Sequence, residues 1–330
     1  MAAGSLVSVV MPAHQAERWL EQAVTSLLVQ SHRELEVIVV DDGSTDRTPD
    51  IVASIRDSRL RLVRLERQQG VAAALNAGLA AARGELVGRL DADDYALADR
   101  IERQVAALDA HPELALIAGR GHVVDGRRTL GPTPLFRGRA LHWALHLWCV
   151  VLHPTILVRR SRLPAAGYPS ATRFCVDWAL FLDLARRERL DMLPAAVTVY
   201  RRHPGAIGQA HRAAQDASNR DVLRAHVRAT LGLDVRPTSA MTWVRPRYAA
   251  QTEDPAELVA LAERLDPEAL ELGPHVPPWS AAELARCRRV YAKRLAEIGW
   301  HGRARPDLAR ALAPLALRAA VRALRLGAAR

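Results

Sequence analysis

The chain has little cysteine, few aromatic residues and almost no lysine. Its three cysteines, Cys149, Cys175 and Cys287, are widely spaced within 330 residues and form neither a zinc motif nor a disulfide framework. Aromatic residues make up 5% of the sequence, and Lys293 is the single lysine. The cysteine pattern argues against a disulfide-stapled secreted scaffold and a cysteine-ligated metal protein, and it favours a reducing compartment.

Long apolar runs are missing as well. No stretch of the sequence reaches the ~20 consecutive apolar residues that a membrane-spanning helix needs. The first residues, MAAGSLVSVVMP, have no basic segment and too short an apolar run for a signal peptide. We therefore expect a cytoplasmic protein that is not integral to a membrane.

Arginine supplies nearly all of the positive charge, and the formal net charge is +10. Such an excess attracts anions such as nucleotides, lipid phosphates or nucleic acid, although a solvated arginine-rich surface explains it equally well. The basic residues are dispersed and no nucleic-acid-binding module is recognisable, so we expect no nucleic-acid partner. Hydrophobic residues make up 49% of the chain, which is enough for a sizeable core.

Short apolar strands and amphipathic helices alternate in the first part of the chain. The pattern predicts strands at 6–11, 35–40, 60–66 and 85–90, and helices at 16–30, 48–56 and 70–84. Later segments predict a helix at 176–187, a strand at 196–203, and then helices only, at 209–231, 254–265, 280–298 and 307–326. The alternation favours an α/β fold with a parallel sheet.

Two acidic clusters follow predicted strands. DDGSTD, which contains Asp42, comes after the second strand, and RLDADD places Asp91, Asp93 and Asp94 directly after the fourth. Ligands of parallel α/β sheets bind beyond the carboxyl ends of the strands. Carboxylates this close repel one another and raise each other's pKa, a cost that a cation or a bound polar ligand relieves. We therefore predict one shared ligand site at this edge of the sheet.

Five motifs, taken in order, resemble the family 2 inverting glycosyltransferases of the GT-A fold. They are VSVVMPAH, VIVVDDGSTDRT, LNAGLAAARGELVGRLDADD, HPTILVRRSRL and CVDWALFLDLA, and they cover roughly residues 5–205. The resemblance implies a Rossmann-like GT-A domain, with a mostly parallel sheet flanked by helices and a helical C-terminal extension. We expect the catalytic domain at 1–205, with its nucleotide-sugar-binding half at about 1–95 and its acceptor half at about 96–205, and a helical region at 206–330.

The same resemblance implies a reaction. A sugar would move from a nucleotide-sugar donor, favoured as a UDP or dTDP type, to a glycan or lipid-linked acceptor in bacterial surface polysaccharide synthesis. The transfer would invert the configuration at the anomeric carbon and would depend on Mg²⁺ or Mn²⁺.

The motifs also imply a role for each residue of the site. Asp42 would contact the nucleobase, Asp91 the ribose or sugar, and Asp93 the metal. Asp177 would be the general base, and His203 would bind the metal or a phosphate oxygen. The other residues expected at the nucleotide-sugar site are Pro12, Ala13, His14, Asn76 and Ala92.

The sequence departs from the family pattern at three places. His14-Gln15 replaces a frequent Tyr-Asn, Leu75 replaces an arginine before Asn76, and Val176 replaces the glutamate before Asp177. The last change removes a carboxylate beside the expected base. It keeps a second hypothesis open, in which the protein is a catalytically silent nucleotide-sugar-binding subunit on the same fold.

Several residues also have simpler interpretations. Asp42 suits a turn, and both Asp94 and Asp177 suit a helix cap. The histidines of the middle region fit either a metal site or ordinary packing, and its tryptophans fit either an acceptor-sugar platform or the core. These side chains are His142, His146, His153, Trp143 and Trp148.

The C-terminal segment, residues 305–330, combines a basic face with an apolar face. The basic face carries Arg318, Arg322 and Arg325, and the apolar face includes Leu317, Val321 and Leu324. Such a helix suits peripheral contact with the inner face of the cell membrane, or packing against the protein with its arginines in water. We expect Pro314 to interrupt it.

Overall fold

The computed structural model of the protein describes residues 5–169, 173–302 and 305–327. The chain divides into two compact units, one formed by residues 5–137 and 150–210 and the other by residues 138–149 and 211–327. The second unit therefore includes a short segment from the middle of the sequence. The expected domain boundaries stay a prediction.

The strands of the described residues all lie in the first unit. They are β1 (Val7–Ala13), β2 (Leu35–Asp41), β3 (Leu60–Arg64), β4 (Leu86–Arg89), β5 (Tyr95–Ala96), β6 (Leu114–Asp125), β7 (Arg128–Pro132), β8 (Leu157–Arg159) and β9 (Arg189–Arg202). They form one sheet in the order β3-β2-β1-β4-β8-β6-β9-β5, with β7 paired to β6.

The direction of the strands changes across the sheet. The β2–β3, β1–β2 and β1–β4 pairs are parallel, as the sequence predicts, and so is β6–β9. The β4–β8, β6–β8, β6–β7 and β5–β9 pairs are antiparallel. The predicted α/β class is confirmed, with a parallel first half and a mixed second half.

The helices of the first unit are α1 (Leu20–Leu28), α2 (Thr48–Ser54), α3 (Val71–Ala81), α4 (Arg100–Ala110), α6 (Val176–Ala185) and α7 (Ile207–Ala210). Helix α3 contacts β1 closely, because a Cβ added at Gly78 would lie 2.3 Å from Cγ1 of Val10. The strand β2 is buried along its whole length, and α1 contributes Leu20, Val24 and Leu27 to the same core. This packing sets the carboxyl ends of β1, β2 and β4 side by side.

The buried carboxylate of Glu36 links β1 to its neighbours at the amino ends of β1 and β2. Glu36 of β2 pairs in register with Ser8 of β1, and its Oε1 accepts hydrogen bonds from Ser8 Oγ at 2.6 Å and Arg83 N at 2.8 Å. Its Oε2 accepts from Arg83 Nε at 2.9 Å and from Arg61 at 3.2 Å. Burial by itself would raise the pKa of Glu36, but these hydrogen bonds outweigh it and lower the pKa to about 2.

Arg100, the first residue of α4, is a fully buried arginine. Its guanidinium donates to the carbonyl oxygens of Arg89 at 2.8 Å and Ile156 at 3.1 Å, and to Gln104 Oε1 at 3.0 Å. Burial and the neighbouring Arg89 charge lower the pKa of Arg100 to about 9. Arg100 therefore fixes the end of β4, just before the acidic loop.

The described residues of the second unit form helices joined by loops and contain no strand. Its helices are α5 (Gly138–Leu145), α8 (Arg212–Leu231), α9 (Pro237–Val244), α10 (Pro255–Leu265), α11 (Ala281–His301) and α12 (Pro306–Gly327). Trp143 is fully buried and donates its indole N–H to the Leu265 carbonyl at 3.0 Å, so it is a core residue. Helix α11 begins with a capping box between Ser280 and Glu283.

Helix α12 continues through Pro314, so the predicted interruption is wrong. Pro314 lies on the exposed side of the helix, while Leu312 and Leu315 on either side of it are buried and hold both halves in place. The side chains of Leu324 and Arg325, which were assigned to the two faces, lie outside the described side chains. Within residues 5–169, 173–302 and 305–327, no helix combines the length and apolarity that a membrane crossing requires.

Candidate active site

The first part of the site is built by the loops that follow β1 and β2. Pro12 and Ala13 end β1, and the Ala13 carbonyl accepts from Asp42 N at 2.8 Å, which joins the two loops. The exposed His14 lies beside them, with its Nδ1 2.9 Å from the Asp42 carbonyl oxygen. Because a carbonyl oxygen only accepts, Nδ1 carries the proton, which in the neutral ring leaves Nε2 as an acceptor.

Gln15 fastens these two loops together. It adopts a positive φ of 51°, and its Oε1 accepts from the backbone N–H groups of Thr45 at 3.0 Å and Asp46 at 3.2 Å. Its own backbone N–H donates to Ser44 Oγ at 3.0 Å. The departure from the family pattern at this position therefore has a structural role.

The carboxylate of Asp42 is buried and holds the chain ahead of α3. Its Oδ1 accepts from Gln69 N at 2.7 Å, and its Oδ2 accepts from Gly70 N at 2.8 Å. Each carboxylate oxygen can accept more than one hydrogen bond, so these contacts leave acceptor capacity. The expected nucleobase contact stays a prediction, because the described contacts of the Asp42 carboxylate are to the backbone.

Asn76 is also held by backbone groups. Its Nδ2 donates to the Tyr168 carbonyl at 2.9 Å, and its Oδ1 accepts from Tyr168 N at 2.7 Å. A Cβ at Gly167, whose φ is +67°, would lie 2.3 Å from the Asn76 Oδ1, so this contact needs glycine there. Asn76 thus anchors the 167–168 turn across 92 positions of sequence, and its donor-binding role stays a prediction.

The acidic loop follows β4 and brings three carboxylates together. One oxygen each from Asp91, Asp93 and Asp94 lies within 4.8 Å of the others, with Ala92 buried between the first two. The guanidinium of Arg89 binds Asp91 with two hydrogen bonds, of which the NH1–Oδ2 contact is 2.7 Å. Burial nevertheless raises the pKa of Asp91 to about 6, with the Asp93 charge adding to the effect and Arg89 opposing it.

Asp94 points into the protein. Its Oδ1 accepts from Arg201 N at 2.8 Å, and its Oδ2 has no hydrogen-bond partner among the described residues. Burial and the charges of Asp91 and Asp93 raise the pKa of Asp94 well above its ordinary value. The helix-cap interpretation of Asp94 is wrong, because the next helix, α4, begins at Arg100 after Asp99.

His203, just past the end of β9, completes this cluster. Its Nε2 lies 2.9 Å from Oδ2 of Asp93. That spacing is close to the roughly 3 Å between adjacent ligands of an octahedral Mg²⁺ bound at about 2.1 Å. Carboxylate oxygens and one imidazole are a donor set that suits Mg²⁺ or Mn²⁺, so the residues fit the expected ion.

Asp177 lies in the first turn of α6, two residues after Cys175. Its charge acts on the Asp91 carboxylate, the Arg89 guanidinium and the Tyr168 hydroxyl, which places Asp177 in their neighbourhood. The N-cap position of α6 belongs to Cys175, so the interpretation of Asp177 as the helix cap is wrong.

Sequence reasoning missed three residues of this neighbourhood. Tyr168 is buried, and its hydroxyl lies 2.8 Å from Nε2 of His153. Burial and the nearby Arg89 charge lower the pKa of His153 well below its ordinary value, so this imidazole is neutral. Tyr168, His153 and Arg89 come from three separate segments. Arg89 and His153 lie in the RLDADD and HPTILVRRSRL motifs, whereas Tyr168 lies in none of the five motifs.

The middle-region histidines belong to two different units. His153 belongs to the first unit, where it also contacts the ring of Phe181. His146 belongs to the second unit, where its Nδ1 lies 2.7 Å from Nε2 of His226. Ordinary packing therefore explains His153 and His146 better than a shared metal site.

Comparison with known proteins agrees with this geometry. The family described as Glycosyl transferase family 2 matches residues 8–163. An uncharacterized glycosyltransferase of Haemophilus influenzae is 41% identical over 199 residues, which are 57% of this chain and 75% of that protein. The chain therefore belongs to glycosyl transferase family 2, and the resemblance read from the sequence is confirmed.

Two further proteins extend the comparison. The Escherichia coli UDP-Glc:α-D-GlcNAc-diphosphoundecaprenol β-1,3-glucosyltransferase WfaP is 26% identical over 203 residues, 61% of this chain and 79% of WfaP. The S. aureus TarS fragment 1–349, solved in complex with UDP-GlcNAc, superposes with a TM-score of 0.60 at 20% identity, covering 90% of this chain and 89% of that one. The TarS likeness confirms the GT-A fold. The chain also matches three further relatives, and these matches cover 62%, 30% and 42% of the relatives' own lengths.

Proposed function

We propose that this glycosyltransferase moves a sugar, with inversion, from a UDP or dTDP sugar to a glycan or lipid-linked acceptor in bacterial surface polysaccharide synthesis. The observation that carries the proposal is the meeting of Asp93 and His203 at 2.9 Å beside Asp91, with Asp177 close enough for its charge to act on Asp91. This arrangement supports a metal-binding role for Asp93 and His203, with the Asp177 carboxylate in the same neighbourhood, beyond the strand ends where α/β proteins bind ligands.

The donor would lie along the loops after β1, β2 and β4. The His14 ring and the Asp42 carboxylate would face the nucleobase, since a carboxylate accepts from an imide N–H such as that of uracil. Asp91, held by Arg89, would accept hydrogen bonds from ribose or sugar hydroxyls. A uridine donor is supported by the UDP-GlcNAc complex of TarS and by the UDP-Glc in the name of WfaP.

Asp177 would act as the general base. As the acceptor oxygen forms its bond to C1 of the sugar, Asp177 takes the proton of that hydroxyl, and the bond from C1 to the nucleoside diphosphate breaks. Asp93 and His203 would hold Mg²⁺ or Mn²⁺, which supplies positive charge for the departing diphosphate. A hydrogen bond from His203 to Asp93 requires a proton on Nε2, so an ion held at Nε2 would require the other tautomer of the neutral ring, with its proton on Nδ1.

The acceptor is proposed to be linked to a lipid, as the diphosphoundecaprenol in the name of WfaP indicates for that protein. Peripheral contact of residues 305–330 with the inner face of the membrane would bring the enzyme to such a substrate. The exposed Leu317 and Val321, one turn apart on α12, support this contact. Ion pairs of Arg318 with Glu263 and of Arg322 with Glu268 support the alternative, a helix packed within its own unit.

The alternative of a catalytically silent nucleotide-sugar-binding subunit rests on Val176, which stands where the family pattern has a glutamate before Asp177. The test is incubation of the protein with UDP, dTDP and GDP sugars, Mn²⁺ and a bacterial lipid extract, followed by measurement of released nucleoside diphosphate. We expect release from a uridine or thymidine donor that requires Mn²⁺ and is lost in Asp177→Asn. Binding of a donor with no release from any mixture would favour the silent subunit.

A further inference from the structure

Arg201 of β9 makes hydrogen bonds to residues of the acidic loop and of α1. Its backbone N–H donates to Asp94 Oδ1 at 2.8 Å, and its NH1 donates to the Asp93 carbonyl oxygen at 2.7 Å. Its NH2 donates to Oε1 of Gln22 in α1. Three donors of one residue therefore fix two neighbouring positions of the loop and one helix.

Two aromatic rings stack near the Arg201 guanidinium. The guanidinium carbon lies 4.5 Å from the ring centre of Trp19 and 4.9 Å from that of Tyr95. Stacking of this kind suits the planar, delocalised charge of arginine. The two rings and the hydrogen bonds of both terminal nitrogens hold the partly buried Arg201 side chain in one place.

The position of Arg201 couples it to the metal-binding pair. It lies two residues before His203, and the β5–β9 pairing brings Tyr95 opposite Val199 in the same strand. Asp93 is held through its carbonyl by Arg201 and through its carboxylate by His203. A shift of the Arg201 side chain would thus change the distance between the two groups that bind the ion.

We propose that Arg201 is a positioning residue that sets the spacing of Asp93 and His203 for the divalent cation, and that it does not bind the donor phosphates. The proposal rests on the proposed function in one respect, the metal dependence. Arg201 is not one of the expected metal ligands. In this proposal it forms the ion site before the nucleotide binds. Loss of such an outer contact typically weakens metal affinity about 10–100-fold.

The test measures Mn²⁺ binding without nucleotide or turnover, by the electron paramagnetic resonance signal of free Mn²⁺. The proteins are the wild type, Arg201→Lys, Arg201→Gln, Asp93→Asn and a matched control, Arg202→Gln, at the exposed neighbouring residue. We expect roughly tenfold or weaker Mn²⁺ binding in both Arg201 variants and less than twofold change in Arg202→Gln. Lysine keeps the positive charge, but its ammonium group lacks the planar guanidinium that donates hydrogen bonds from two nitrogens and stacks on aromatic rings.

The sign of the effect separates positioning from simple electrostatics. Removing a positive charge next to a cation site would by itself strengthen Mn²⁺ binding, so weaker binding in Arg201→Gln has to come from lost geometry. Calorimetry of UDP binding in EDTA tests the phosphate-ligand role. UDP affinity that falls in Arg201→Gln while Mn²⁺ affinity is unchanged would overturn the proposal.

A second readout does not depend on the metal. Hydrogen–deuterium exchange of the unliganded proteins should show faster exchange over residues 91–96 and 199–205 in the Arg201 variants than in Arg202→Gln. If the wild type and Asp93→Asn bind Mn²⁺ equally poorly, the proposed metal dependence fails. If the Arg201 variants exchange no faster than the wild type over these two segments, the positioning role of Arg201 fails, whatever the Mn²⁺ result. Circular dichroism confirms that each variant is folded.

Discussion

The Nε2 of His203 lies 2.9 Å from Oδ2 of Asp93, although 110 positions separate the two residues in the sequence. The contact joins the end of β9 to the loop after β4, so the first unit must be folded over most of its length before the pair exists. An ion held between these groups would bind the folded chain and not the unfolded one, so it would stabilise the folded state by mass action.

Replacement of Asp93 by Asn is expected to abolish turnover and to remove the metal dependence of nucleotide binding. The amide keeps the shape of the side chain but removes the negative charge that a hard divalent cation requires. Calorimetry of UDP binding with Mn²⁺ and with EDTA measures the effect, and Asp99→Asn, at an exposed partner of Arg103, is the control. Equal UDP affinity in wild type and Asp93→Asn, with and without Mn²⁺, would remove Asp93 from the metal site.

Replacement of Asp177 by Asn is expected to lower kcat by about 10²-fold or more while leaving donor binding nearly intact. The amide cannot take the proton of the acceptor hydroxyl, which is the usual contribution of a general base. Steady-state release of nucleoside diphosphate gives kcat, and calorimetry gives donor affinity. Asp183, a half-buried acid of α6 that pairs with the exposed Arg186, supplies the control Asp183→Asn. A variant with most of its kcat would show that Asp177 is not the base.

Replacement of Glu36 by Gln is expected to cost up to about 3 kcal/mol of unfolding free energy at pH 7, which corresponds to a pKa lowered from 4.5 to about 2. Because the folded-state pKa is the lower one, this stability is present above about pH 4.5. It is lost as the pH falls from there towards 2. Urea unfolding across that range should show wild type and variant converging at low pH.

The control for Glu36 is the exposed Glu34, two positions earlier and at the same end of β2. Glu34→Gln is expected to change the unfolding free energy by less than about 0.5 kcal/mol. A difference between wild type and Glu36→Gln that stays constant from pH 7 to pH 2 would mean that the ionised carboxylate is not the source of the stability.

The double substitution Leu317→Glu with Val321→Glu tests membrane contact by α12. These side chains are 67% and 38% exposed, so the change should leave folding intact, whereas truncation at 305 would remove the buried Leu308 and Leu312. If the helix lies in the interface, co-sedimentation with anionic vesicles should fall severalfold in the variant and weaken with salt. Val29→Glu, at a 57% exposed residue of the first unit, is the control. Equal, salt-insensitive partitioning of all proteins would leave α12 as a packing element.

The sequence predicts the first ninety residues of the fold well because each element there carries its own signal. Strands β1, β2 and β4 are buried runs bounded by turns, and α3 is an alanine-rich helix whose Gly78 permits close packing on β1. The carboxylates of the site also follow from the sequence, because parallel strands deliver their carboxyl ends to one edge.

The parts that escaped prediction depend on partners far apart in the chain. Helix α4 is polar by composition, and its first residue, Arg100, has the appearance of a surface arginine although it is fully buried. The partners of Asn76 and Arg201 lie 92 and 108 positions away, and no local pattern encodes them. Pro314 misled the assignment of α12 because packing of the leucines around it outweighs the preference of proline to end a helix.

The Glu36 cluster lies at the amino end of β1 and β2, while the loops proposed to bind the donor lie at the carboxyl end. Ala13 lies five positions after Ser8 in β1, a distance of about 17 Å at roughly 3.3 Å per residue. That distance exceeds the Debye length of about 8 Å at physiological salt, and effects of substitutions this far apart are usually additive. If His14 contacts the donor as proposed, substitutions of His14 are expected to change donor binding without changing the stability that Glu36 provides at the other end of the same strands.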